Sequence, residues 1–228
     1  MLDTTPVFRR IFDEDANHAF LAEIPGAMFK WYEDAAKLVK KGLTRASFRD
    51  AYGHVRRGYV EDGLMELAIK HGVDCVRQSN VNQTSSHIML KMGRVILTAS
   101  AVDGPTDLVM LADFRQTYAR SNQMTFLPEE EVLEFREGID YIYAILLHGP
   151  MVNDPTTPRF AMIQFPNSDC SDYLGFYENL FYRHMDKLKS IMTVDRIRRI
   201  EQAESRMQTK PKIRLRPSEE EAGNETGG

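Results

Sequence analysis

HIMLKMGRVILTASAV, residues 87–102, holds two short apolar runs, His87 to Met92 and Val95 to Val102, joined through Gly93-Arg94. Two such runs meeting at a glycine-containing junction read as the strands of a tight hairpin. Tyr141 to Leu147 and Phe160 to Phe165 are the next strand candidates. They are separated by a connection from His148-Gly149-Pro150 to Pro158 and pair as a long-looped hairpin. Val73 to Arg77 supplies a further strand, and Gly104-Pro105 ends the hairpin.

Helical periodicity brackets this sheet. Residues 11–71 read as a helical region. In it Met28, Trp31, Tyr32, Ala35, Leu38 and Val39 share one sector of a wheel, and Gly42 follows as a stop. Thr44 is placed to cap a second helix carrying Phe48, Ala51, Tyr52 and Val55. Tyr59 to His71 forms a third, ended by Gly72, with Pro25-Gly26 and Gly58 as punctuation. After the hairpin, the spacing predicts a helix from Asp107 to Ala119 with Leu108, Leu111, Phe114 and Tyr118 inward, and a short acidic one from Glu129 to Glu137. Tyr173, Tyr177, Leu180, His184, Leu188 and Ile191 recur at helical spacing and predict a long C-terminal helix, reaching about Met207 with a register change near Thr193.

The fold class expected is α+β: a mainly antiparallel four- or five-stranded sheet packed with an N-terminal helical region and the long C-terminal helix. Residues 1–207 are expected to form one domain. Residues 208–228, with Lys210, Lys212, Arg214 and Arg216 among prolines, glutamates and glycines, read as a disordered polar tail.

At 228 residues and 43% hydrophobic composition the chain can bury a substantial core, and a formal net charge of −4 leaves any charged binding surface local. Cys75 and Cys170 stand far apart, which argues against a disulfide framework and a thiolate zinc site and suits a reducing compartment. Met1 to Arg10 lacks the apolar run of a signal peptide. Ile139 to Leu147 is too short to cross a bilayer and contains Asp140, so a cytoplasmic protein without a membrane partner is expected. No phosphate-cradling glycine loop, dinucleotide turn, H-E-x-x-H pair or serine elbow occurs, and neither a cofactor nor a metal is expected.

Three features carry chemistry. Arg115 falls on the inward face of its helix. Its guanidinium must either reach the edge along a packed stem or find a carboxylate, a carbonyl or a bound anion. His87 and His148 sit on strands, where imidazoles suit acid–base work. If the strands are neighbours the two rings converge, with Asp103, Asp113, Asp154 or Arg159 as companions. Basic residues also cluster: Lys37, Lys40, Lys41, Arg45, Arg49, Arg56 and Arg57 in the helical region, and Arg196, Arg198 and Arg199 near the C-terminus. The absence of a local catalytic signature favours a non-enzymatic binding or regulatory protein that engages a protein partner, a second copy of itself or nucleic acid through these basic helical surfaces. The alternative is a hydrolase or nuclease-like enzyme using His87 and His148.

Overall fold

The apolar periodicity of the first third of the chain produces three helices, α1 (Thr5–Asp15), α2 (His18–Gly42) and α3 (Arg45–His71). The computed structural model describes residues 5–42, 44–79, 86–122, 141–191, 197–198 and 201–202. Thr44 caps α3 by accepting from the Ser47 amide, and Gly72 ends it by returning its N–H to the carbonyls of Ala68 and Ile69.

Neither predicted break interrupts these helices: α2 runs through Pro25, and α3 through Gly53, Gly58 and Gly63. An interior proline costs about 3 kcal/mol and a glycine about 1 kcal/mol, so packing must offset them. In α2 the offset is a face on which Phe20, Leu21, Ile24, Met28, Tyr32 and Val39 are all buried. Each large side chain there contributes roughly 1.5–3 kcal/mol. Gly63 has a different reason: a Cβ at that position would lie 2.1 Å from Cε2 of Trp31, so only glycine admits the indole against α3. At Gly53 and Gly58 a Cβ would meet nothing within 4 Å, and no contact explains either glycine.

The sheet has six strands in chain order: β1 (Asp74–Ser79), β2 (Ser86–Met92), β3 (Val95–Ala101), β4 (Ile142–Pro150), β5 (Pro158–Pro166) and β6 (Tyr173–Asn179). Neighbours are antiparallel except β3 and β4, which run parallel from Val95↔Ile142 to Ala101↔His148. The α+β class therefore holds, while the expected four or five strands become six and the sheet is mixed.

The additional strand occupies the place where the long C-terminal helix was expected to begin. Leu174 and Phe176 pack on the core and Tyr177 points outward, 54% exposed, so a period of two overrides the helical spacing of the tyrosines. The expected long helix is replaced there by two short ones, α5 (Leu180–Arg183), capped by Asn179, and α6 (Met185–Ile191). Most of residues 192–207, the predicted helix at 129–137 and the tail at 208–228 lie outside the described residues.

One face of the sheet is covered by α1, α2 and α3 with α5 and α6. Ile88, Leu90, Leu97, Ile142, Leu146 and Ile163 point into this layer. Phe165 gathers Phe8, Phe12 and Phe176 with ring centroids 5.8, 5.7 and 5.0 Å away, seating α1 over β5 and β6. The end of α1 is tied to the β2–β3 turn, where Gly93 takes φ +55°. There the Arg94 amide and Nε donate to Asp15 Oδ2 at 2.9 and 2.6 Å. These donors hold the Asp15 carboxyl below its ordinary range.

The opposite face carries Ile96, Tyr143, Ile145, Leu147, Phe160 and Met162 under α4 (Asp113–Ala119) and the extended residues 102–112. The predicted helix thus starts at Asp113 rather than Asp107. Leu108 and Leu111, expected inward, are exposed, and Val109 is buried in their place. Asn122 closes this layer. Its amide nitrogen donates to the carbonyls of Tyr143 and Pro166, both at 2.8 Å, and its oxygen accepts from the Tyr143 amide at 2.8 Å.

The two kinds of glycine in α3 should respond oppositely to one added methyl group. Gly58→Ala is expected to stabilise by about 0.5–1 kcal/mol through the unfolded chain, and Gly63→Ala to destabilise by at least about 2 kcal/mol through overpacking against Trp31. Urea midpoints of the two variants moving in the same direction would contradict this account.

Candidate functional site

Because β3 and β4 are parallel, their carboxyl ends open at the same end of the sheet, flanked by the starts of antiparallel β2 and β5. His87, Ser100, His148 and Arg159 all belong to this end. The packing there is close: a Cβ on Gly149 would stand 2.3 Å from the Val102 carbonyl, and the Val102 amide donates to the His148 carbonyl at 3.0 Å.

On the face covered by α1–α3, the His148 imidazole is 1% exposed, and its Nδ1 shares a 2.8 Å hydrogen bond with the Tyr32 hydroxyl. The Tyr52 hydroxyl donates to the Tyr32 carbonyl at 3.0 Å. The Arg56 guanidinium lies 5.2 Å from the Tyr32 ring centroid and 5.5 Å from that of Tyr52. Burial, helped by the charges of Arg56 and Arg57, pushes the His148 pKa down to about 3. Burial likewise raises that of the Tyr32 phenol, so both partners are neutral.

The opposite face holds His87, 6% exposed, its ring stacked on Phe114 with centroids 3.5 Å apart. Burial first, then the charges of Arg115 and Arg57, push its pKa down to about 4. Arg115, 9% exposed, lies over the same Phe114 ring, 4.9 Å from its centroid. It donates to the Met110 carbonyl at 2.6 Å and to Ser100 Oγ at 3.3 Å. Tyr118, in edge contact with His87, donates to Gln78 Oε1 at 2.6 Å. The Thr98 and Tyr143 hydroxyls share a 2.7 Å bond. Cys170 is buried nearby with φ +59°, and burial raises its thiol pKa.

The two histidines are not brought together. His148 points from β4 to the same side as Ile142, Ala144 and Leu146, whereas His87 meets α4 on the side of Tyr143 and Leu147. Alternation along the strands sends them to opposite faces, and the joint acid–base pair expected from the sequence does not form. Arg159 stands at this strand end, and the expected carboxylate companions make other bonds. Asp154 accepts from the Thr156 amide and hydroxyl and from the Thr157 hydroxyl, Asp103 lends its carbonyl to Arg159, and Asp113 is exposed at the start of α4.

The basic residues divide in the same way. Lys37 is paired with Glu33 at 2.9 Å and Asp34 at 3.5 Å, while Lys40 and Lys41 are exposed in the last turn of α2. Arg57 binds Glu61 at 2.8 Å and donates to the Ser86 carbonyl at 2.6 Å. Arg198 is exposed; Arg196, Arg199 and the side chains of Arg45 and Arg49 lie outside what is described. What sequence reasoning missed is the partnership of Arg56 with Tyr32 and Tyr52, and of Arg115 with Ser100. The available signal was tyrosine on an inward helical stripe, since a buried hydroxyl must find a partner.

Among the described residues, Arg56, Arg115 and Arg159 have no carboxylate partner, and each has a buried Nε without a hydrogen bond. Nor do any three His, Cys, Asp or Glu side chains among them group to hold a metal ion. No described helix is long and apolar enough to cross a membrane.

A depressed histidine pKa has a measurable sign. An unfolded histidine takes up a proton near pH 6.5, while these two resist it, so their contribution is complete above about pH 6.5 and falls by about 1.4 kcal/mol per pH unit for each as pH drops toward the folded values. The urea midpoint should therefore decline between pH 7 and 5. His148→Gln, which keeps a polar partner for Tyr32 and does not titrate, should show a shallower decline; an unchanged slope would reject a neutral buried His148. No protein-family model, no curated protein and no solved structure matches the chain.

Proposed function

We propose that the chain is a non-enzymatic binding or regulatory protein whose partner is nucleic acid, held by its phosphates at the sheet end where Arg56, Arg57 and Arg159 meet the carboxyl ends of β3 and β4. The observation that carries this reading is uncompensated charge. Among the described residues, Arg56 and Arg159 rest on aromatic rings and a carbonyl and have no carboxylate partner, while beside them Arg57 is paired with Glu61 and Arg77 with Asp62 and Glu61. A guanidinium is always charged and its planar donor set matches phosphate oxygens, so an end of the sheet holding several of them favours a phosphate-bearing chain. Lys40 and Lys41 extend the positive character along α2.

Catalysis is the weaker reading because its two histidines face away from each other and are both held neutral by burial. A neutral imidazole among arginines adds no charge and leaves the cations to act alone.

Fluorescence anisotropy with a labelled single-stranded oligonucleotide tests this. Binding should weaken with salt, and Arg56→Gln or Arg57→Gln should each reduce the log–log salt slope by about one. Glu61 keeps Arg77 when Arg57 is replaced. Lys91→Gln, which removes a charge at the opposite end of β2, should change nothing. Absence of binding at low salt, or equal losses in all three variants, would overturn the proposal.

A further inference from the structure

Arg115 does not belong to the group of arginines just described. Its guanidinium is nine-tenths buried on the other face of the sheet, carries a full charge and has no carboxylate partner among the described residues. Its bonds go to one hydroxyl, that of Ser100, and one backbone carbonyl, that of Met110, and its Nε is left over. A buried charge without a counter-charge is costly, and a neutral carbonyl offsets only part of that cost.

The carbonyl comes from an unusual segment. Residues 102–112 run over this face of the sheet without regular structure apart from a turn in which the Asp107 amide donates to the Gly104 carbonyl at 3.1 Å. The segment is pinned by side chains that donate to its carbonyls: Gln164 to Pro105 at 3.3 Å, Tyr173 to Asp107 at 3.0 Å and Arg115 to Met110. Val109 is its one buried large apolar side chain, while Leu108, Met110 and Leu111 are 47%, 85% and 61% exposed. Two further bonds, from Arg159 to the Asp103 carbonyl and from the Val102 amide to the His148 carbonyl, tie only its first two residues. The stretch from Gly104 to Ala112, a strap held by one apolar anchor and three side-chain bonds to carbonyl oxygens, therefore opens at modest cost, and opening it frees donors.

We propose that Arg115 and Ser100 form a phosphate-binding site that the strap closes with its own Met110 carbonyl, and that a phosphate-bearing ligand binds by taking that carbonyl's place. The carbonyl is then a resident substitute for a phosphate oxygen. The ligand supplies the missing negative charge, accepts from the Arg115 fork and the Ser100 hydroxyl, and leaves the strap displaced. His87, beside Phe114 and within the field of Arg115, reports occupancy, because an anion there opposes the Arg115 charge that adds to burial in holding its imidazole neutral. This inference is independent of nucleic-acid binding at Arg56 and Arg57, although a nucleic acid with a terminal phosphate would satisfy both.

The probe is inorganic phosphate, titrated into the full chain while the His87 ring resonances and amide hydrogen exchange are followed. Saturable shifts at His87 with faster exchange at 103–112 are expected. Arg115→Met should abolish the response and Ser100→Ala should weaken it several-fold. Val109→Ala, which loosens the competing strap, should tighten phosphate binding by several-fold, up to about tenfold. A variant that merely damaged the fold would not bind better, so this last result separates displacement from general destabilisation. An oligonucleotide with and without a terminal phosphate then distinguishes free phosphate from a chain end as the source. Absence of any phosphate response, binding that survives Arg115→Met, or weaker binding by Val109→Ala would overturn the proposal, whatever the outcome at Arg56 and Arg57.

Discussion

The indole of Trp31 occupies the volume in which any side chain at position 63 would stand, and that exclusion sets how closely α2 and α3 approach. Much follows from the distance. With α3 drawn in, Tyr52 reaches the Tyr32 carbonyl and Arg56 lies over both rings, so the helical pair presents a rigid layer to the sheet. Tyr32 in turn meets His148 at the end of β4. A chain of contacts therefore runs from one glycine to the carboxyl ends of the parallel strands, and each link is buried or half-buried.

The electrostatic character of that end comes from geometry more than from composition. Overall the chain is acidic, with a formal net charge of −4, yet arginines from α3, α4 and β5 meet where β3 and β4 finish. The nearest histidines are kept from adding charge by burial and by the same arginines. Of the carboxylates near that end, Glu61 pairs with Arg57 and Arg77, and Asp154 accepts from Thr156 and Thr157 within electrostatic reach of Tyr52.

Much of the scaffold was legible in the residues. Gly93-Arg94 between two apolar runs marks a hairpin because the turn chemistry is local, and the buried stripe of α2 follows from spacing alone. β6 was not legible, since Tyr173, Tyr177 and Leu180 imitate a helical stripe while Leu174 and Phe176 do the burying. α4 was misplaced for a related reason: Leu108 and Leu111 fit a helix wheel, but this segment runs irregularly over the sheet face and buries Val109 instead. The histidines show the deeper obstacle. That each lies on a strand is a local property, but which faces they share depends on register across β3 and β4, set by residues far apart in the chain.

That same parallel junction divides the sheet into two antiparallel meanders, β1–β3 and β4–β6. Within each meander the paired strands are joined by short connections, whereas the junction places Val95 beside Ile142 across roughly 47 positions of chain. Closing that span is the most entropically demanding step of assembly, and local contacts reward it only once both halves exist. The arginine-lined end is thus completed when the halves join, so an intermediate with two separate meanders has strands but no binding end.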